Sequence, residues 1–373
     1  MRRRWLDEAG YAEIVAVCQS LPGPTSSEVG IAIGLLRGRI AGALVSWLGF
    51  TLPSAMALAV FALVVGRLGD QAAGPIHGLN LVAVAVVALA VWSMARALAW
   101  DVLRAPIALA AAAVVFAFPT ALAQIAVIVV AGIVGWAVLR APAGPAPARV
   151  AVPIGRRVAV ACAALYLALL VVLPLARVTA QSGEITLFDS FYRSGALVFG
   201  GGHLVLPLLQ AEVVPPGWVT QEQFLAGYGA AQAVPGPLFT FAAYLGAVIG
   251  APASIDDPLA LGGDLFTPWP PGGAFGAALA LIAIFLPGFL LVFAALPSWG
   301  ALRARADAQA ALRGINAAVV GILLAALITP VATSAIRAPV DAAFALGALA
   351  MLLGKLPPWF VVITIAAIAS LLR

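Results

Sequence analysis

The chain reads as a succession of apolar runs, with its few charges gathered in the short segments between them. Runs at 40–66, 79–95, 105–118, 120–139, 158–176, 273–296, 314–329, 341–354 and 357–371 hold almost no ionisable residue, and they predict membrane-embedded helices. The last two are short for this, at about 15 residues each. Three further stretches are interrupted. Stretches 9–36 and 220–250 are broken by Pro22-Gly23-Pro24 and Pro235-Gly236-Pro237, and 187–214 is broken at Gly200-Gly201-Gly202. Proline removes a helical donor and glycine frees the backbone, so each proline–glycine–proline stretch predicts two short helices meeting at a break. Each half has about 13 residues, or roughly 20 Å at 1.5 Å per residue, too short to span. A hairpin that dips into the bilayer and returns to the same side fits this length.

Composition raises this from local pattern to class. Apolar residues make up 64% of the 373 residues and charged residues 9%, against about 45–50% and about 25% in a soluble domain. A soluble fold could not bury that much apolar surface. The chain is therefore expected to be an all-α polytopic membrane protein. Disorder, a secreted disulfide scaffold and a soluble nucleic-acid binder are excluded. The net charge of +5 comes from cations scattered between apolar runs, where they set topology. Cys18 and Cys162 lie in apolar segments and read as small buried residues. With two histidines, no clustered carboxylates and no Walker or Rossmann fingerprint, neither a metal nor another cofactor is expected. The N-terminal arginines are followed by Asp7, Glu8 and Glu13, which interrupt the apolar core a signal peptide requires.

The sequence repeats itself. Trp5 to Pro22 corresponds to Trp218 to Pro235 at a shift of 213, which aligns Gln19 with Gln232 and the two proline–glycine–proline breaks. At a shift of 234, Leu52-Pro53 falls on Leu286-Pro287, and at 236, Gly78-Leu79-Asn80 falls on Gly314-Ile315-Asn316. The growing shift reflects an insertion near 251–271. This predicts a first repeat over 1–145, a basic linker with a connecting helix over 146–179, and a second repeat over 180–373. The stretch from Leu187 to Val214 has no counterpart before Trp5, so the chain is expected to begin inside its first repeat.

Charge gives the repeats opposite orientations. Arg2, Arg3 and Arg4 precede the first proline–glycine–proline hairpin, whereas Glu212 and no cation precedes the second; Arg37 and Arg39 follow the first, and Asp256, Asp257 and Asp264 follow the second. After the next span the bias reverses, with Arg303, Arg305 and Arg313 in the second half. The cation bias thus places equivalent loops on opposite faces, the inverted-topology pattern of secondary transporters built on broken helices and re-entrant hairpins. It puts 37–39, Arg96, Arg104 and Arg140 inside, and both ends of 187–214 outside.

Broken helices at mid-membrane carry free backbone groups and are tolerated where they are buried in protein or line a wet cavity. The helix starting at Pro24 turns the N–H groups of Thr25, Ser26 and Ser27 toward its break; the one starting at Pro237 does the same, and the half after Gly202 adds His203. Helix N-termini present free donors and about half a positive charge, so three of them meeting would favour an oxyanion. Gln19 and Gln232 either donate to that ligand or satisfy backbone at the breaks. Gly200, Gly201 and Gly202 give either close backbone approach or helix packing. His203 is either an interior hydrogen-bonded histidine or a proton relay. Glu28 either couples protons or pairs with Arg37 or Arg39 near the surface. Asp189 and Arg193, one turn apart, read as a local pair near the outer surface, and Asn80 and Asn316 as helix caps.

With Trp5-Leu6 to Leu21-Pro22-Gly23-Pro24, Gly30 to Arg37 and Trp47-Leu48-Gly49-Phe50-Thr51-Leu52-Pro53 in the first half, and Phe199-Gly200-Gly201-Gly202-His203, Gln232-Ala233-Val234-Pro235-Gly236-Pro237 and Phe285-Leu286-Pro287-Gly288 in the second, the sequence resembles the chromate ion transporter family in its long two-domain form. The resemblance covers almost the whole chain. It implies a multi-pass transporter of the cytoplasmic membrane that expels chromate and confers resistance, with sulfate as a competing oxyanion. The family's first domain opens with a glycine-rich segment that this chain lacks, which leaves a non-transporting remnant as an alternative. A homodimer is an assembly it leaves open. A membrane-embedded enzyme would need a nucleophile with its base, and Ser26, Ser27 and His203 stand in no such arrangement.

Overall fold

The computed structural model describes residues 8–68, 72–140, 154–199, 202–249, 270–298 and 305–371. They form helices α1 (Glu8–Ser20), α2 (Thr25–Leu68), α3 (Ala73–Leu98), α4 (Arg104–Ala117), α5 (Ala121–Val138), α6 (Arg156–Ala180), α7 (Gly183–Ala196), α8 (Val205–Val213), α9 (Gln221–Ala233), α10 (Phe241–Val248), α11 (Gly273–Ala295), α12 (Ala306–Ala326), α13 (Pro339–Leu353) and α14 (Pro358–Leu371). Among the described residues six helices are long and apolar enough to cross a membrane. The chain is an all-α polytopic membrane protein.

Local chemistry fixes where these helices begin. Thr120 caps α5 by accepting from the N–H of Ala123 at 3.2 Å, and Ser182 caps α7 through Ile185 at 3.4 Å. A reciprocal box of Thr220 and Gln223 opens α9, satisfying donors that the first helical turn leaves free. The long α2 is two helices joined by a bend at Gly38 and Arg39, where Arg39 takes a left-handed φ of 54°. That bend lies between the first predicted hairpin and the run at 40–66, as the charge pattern requires.

Three helix starts differ from expectation by four residues or more. The helices holding Asn80 and Asn316 start earlier, at Ala73 and Ala306, so both asparagines lie inside helices rather than capping them. Pro75 is tolerated in the first turn of α3, and Asp307 in the first turn of α12 suits the helix N-terminus, so each helix starts well before its asparagine. Helix α7 likewise begins at Gly183 rather than at 187, because the Ser182 cap sets its start.

Packing follows small residues. Helix α12 lies against α4 and α5, while α3 lies against α13, α14 and α9. A Cβ on Gly314 would overlap the backbone of Ala131 and Gly135, and one on Gly78 would overlap that of Ala366. The same kind of contact joins Gly34 to Gly42 and Gly246 to Gly276. In lipid, backbones come this close only where side chains are absent. Helix α6 packs on α7 and α11 and leaves most of its apolar surface exposed, so it sits at the perimeter.

Candidate functional site: three breaks that meet

The first break is a buried turn, with Pro22, Gly23 and Pro24 all out of solvent between α1 and α2. Gly23 has φ of 144° and its counterpart Gly236 has φ of 145°, a region that L side chains rarely adopt. The third break lies between these two turns. The N–H of Gly23 donates to the carbonyl of Val198 at 2.7 Å, where the chain leaves α7. On its other side Gly202 packs against Leu238, which follows the second turn. The three interruptions that the sequence predicts are therefore brought together, although Gly200 and Gly201 lie outside the described residues, as do Arg2 to Arg4 and the acidic insertion.

Each glycine turn is held by a distant helix. A Cβ on Gly23 would come within 3.7 Å of Gly288 on α11, whereas one on Gly236 would overlap the hydroxyl of Ser54 on α2. Ser54 and Gly288 each follow the proline of a Leu-Pro pair and correspond at the shift of 234.

Not every predicted donor faces the site. The N–H of Ser27 is taken by Pro24 at 2.8 Å, and that of Thr240 by Pro237 at 3.0 Å, because both helices open with a tight turn. Thr25 is half-buried and Ser26 is exposed, as are Pro235 and Gly236, while Pro237 is buried. Gln19 is exposed on the last turn of α1, and its counterpart Gln232 is half-buried with its Nε2 enclosed and unpartnered. His203 Nδ1 lies 3.0 Å from the hydroxyl of Tyr228, a fully buried residue of α9.

Among the described residues, buried side-chain polar atoms without partners occur on Asn80, Gln124 and Gln221, away from the breaks, and on a second set of residues that flank the breaks or the helices packed on them. The second set comprises Ser27 Oγ, both carboxyl oxygens of Glu28, Trp47 Nε1, Thr51 Oγ1 and Gln232 Nε2. Four of these groups are hydrogen-bond donors, and Trp47 and Thr51 are among the functional candidates that the pattern of breaks does not reveal. Trp47, Thr51 and Ser54 recur at helical spacing on one face of α2. Trp47 meets Phe285 and Phe289, which flank Pro287 and Gly288, at ring centroid distances of 5.6 Å. The face therefore runs from the first break's neighbours to the second break. The only signal for it in the sequence is the motif from Trp47 to Pro53. Glu28 is fully buried and forms no pair with Arg37 or Arg39, which corrects the surface-pair alternative.

The predicted pair of Asp189 and Arg193 is part of a larger network. Arg193 donates to Asp189 at 3.0 and 2.9 Å and to Glu212 at 2.9 Å, Ser190 donates to Glu212 at 2.9 Å, and Arg177 lies 3.5 Å from Asp189. Asp189 is completely buried, so the predicted pair one turn apart is present and is extended into an internal tie between α6, α7 and α8. A separate cavity of about 280 Å³, lined by Gln124, Gln210 and Gln221, lies away from the break residues.

A family model described as Chromate transporter matches residues 1–136 and 185–371. A chromate transport protein of Pseudomonas aeruginosa is 26% identical over 340 residues, covering 90% of this chain and 75% of the relative. A chromate transport protein of Cupriavidus metallidurans is 25% identical over 369 residues, covering 94% of this chain and 80% of the relative. No solved structure matches.

Proposed function

The chain belongs to the chromate transporter family, and from that premise we propose that it carries chromate out of the cell across the cytoplasmic membrane through the site formed by its three helix breaks. The observation that carries this reading is the set of enclosed donors without partners, on Ser27, Trp47, Thr51 and Gln232. A tetrahedral dianion accepts hydrogen bonds from every side and suits such a set. Neutral donors hold it without the cost of desolvating a lysine. Gln19, exposed in this conformation, Thr25, Ser26 and His203 belong to the mouth of the same site, and Gly202 to its wall.

The two repeats, 1–145 and 180–373, supply one proline–glycine–proline turn each. Their opposed orientation gives a carrier the means to expose one site alternately to both faces. Export also follows from the charge of the cargo. Moving one charge through 100 mV is worth about 2.3 kcal/mol, and a dianion leaving a negative interior gains about twice that.

The test is chromate uptake into everted membrane vesicles made from cells producing the chain, with an imposed lumen-positive potential. The reading expects uptake that grows with the potential and is reduced by excess sulfate if sulfate shares the site. Uptake no greater than in vesicles lacking the protein would sink it.

A further inference from the structure

Glu28 is the least expected group at this site. It sits in the first turn region of α2, and its side chain folds back so that the carboxyl lies between Gly23 and Gly288. A Cβ on Gly23 would overlap its Oε1, and one on Gly288 would lie 3.4 Å from it. The residue has no solvent exposure, and among the described residues neither oxygen has a hydrogen-bond partner. A charged carboxylate left in that state is strongly disfavoured, whereas the neutral acid is tolerated. Among the described residues, Cys18 of α1 and Tyr166 of α6 lie within electrostatic reach, and neither carries a positive charge. Helix α11 faces Glu28 with Gly288, which has no ionisable group.

The carboxyl also occupies the end of α2 where free donors favour an anion. An ionised Glu28 and an incoming oxyanion would compete for that end and repel one another, whereas a protonated Glu28 offers an O–H to the anion. Resting on the reading of the breaks as the anion site, we infer that Glu28 is a proton-binding site linked to the cargo: the oxyanion loads beside Glu28 only while its carboxyl holds a proton. Where Glu28 starts ionised, loading takes one proton from solvent onto a carboxylate oxygen. Loss of that proton drives the anion out. Linkage is reciprocal, so bound anion strengthens the hold on the proton by the same factor.

The experiment measures chromate binding to the purified full-length chain in detergent across a pH series, together with proton uptake in weakly buffered solution alkaline enough that chromate is itself the dianion. The wild type is expected to lose affinity toward alkaline pH, by up to tenfold per pH unit, and to take up as much as one proton per chromate bound over the pH range where that affinity falls. Glu28→Gln, which fixes the neutral form, is expected to bind more tightly than the wild type at alkaline pH and to show neither effect. The proton uptake of the wild type needs no variant, so the inference stays testable if Glu28→Gln fails to fold. Chromate binding with no proton uptake, and with the same pH dependence in both chains, would overturn the linkage while leaving the anion site standing. No binding by either folded chain would overturn both.

Discussion

Gly236 of the second turn packs against Ser54 so closely that a Cβ would collide with the serine hydroxyl. The equivalent pair, Gly23 and Gly288, is looser, with a Cβ on Gly23 3.7 Å from Gly288, so the clamp on each glycine turn comes from the proline-bearing helix that follows the other turn and is tight only at Gly236. The clamp couples the two breaks through α2 and α11. A change in how those helices lie against each other is expected to shift both turns, as alternating exposure of a shared site requires.

Enlarging the clamp should therefore damage transport more than it damages folding. Ser54→Leu is expected to reduce chromate flux at least tenfold with protein still in the membrane, because the larger side chain displaces the Gly236 turn. Gly49→Leu, on the same helix but facing open space, is expected to leave flux within about twofold. Flux assays in vesicles with matched protein amounts compare the two.

The network around Arg193 should govern stability. Arg193→Met leaves Asp189 and Glu212 buried with only Arg177 beside them, and breaking a buried pair on one side costs about 3–5 kcal/mol. Thermal unfolding in detergent should show a lower midpoint, and adding Asp189→Asn and Glu212→Gln should recover part of it. Recovery arises because the orphaned charges are then gone.

The exposed turn between α3 and α4 supplies a pH dependence of defined sign. The Asp101 carboxylate accepts from the N–H of Arg104 at 2.8 Å and of Leu103 at 3.1 Å, and also meets the Arg104 guanidinium. The backbone N–H of Arg104, followed by its side chain, holds the Asp101 carboxyl below its usual range. A lowered folded value contributes stability that is present above the unfolded carboxylate value and lost as pH falls through the folded one. Asp101→Asn should thus be slightly less stable than the wild type at neutral pH, and the two should converge in acid. Thermal melts across the acid range check this.

Much of the architecture was legible in the sequence because membrane helices announce themselves by length and apolarity, and because breaks need proline and glycine. The bounds of α11, read as 273–296 and found as Gly273–Ala295, and the turn after α9 illustrate this. What sequence could not supply was which face of a helix looks inward. Trp47 and Thr51 lie in a uniformly apolar run, with no polar face to orient it. Glu28 looked like a residue near a charged loop, since its burial depends on α11 folding across it. Asn80 and Asn316 were misread because the turns before them, with Gly74, Pro75 and His77 in one and Asp307, Gln309 and Arg313 in the other, do not read as part of an apolar span.

The account stands on the claim that the anion passes through the breaks. The most direct measurement is chromate accumulation in cells producing the wild-type chain, the variant with Pro235, Gly236 and Pro237 all changed to alanine, and Gly217→Ala, which alters a positive-φ glycine in open space. Lower accumulation than in empty cells for the wild type and Gly217→Ala, lost in the triple variant at equal membrane abundance, is the predicted result. Accumulation as low in the triple variant as in the wild type would contradict it.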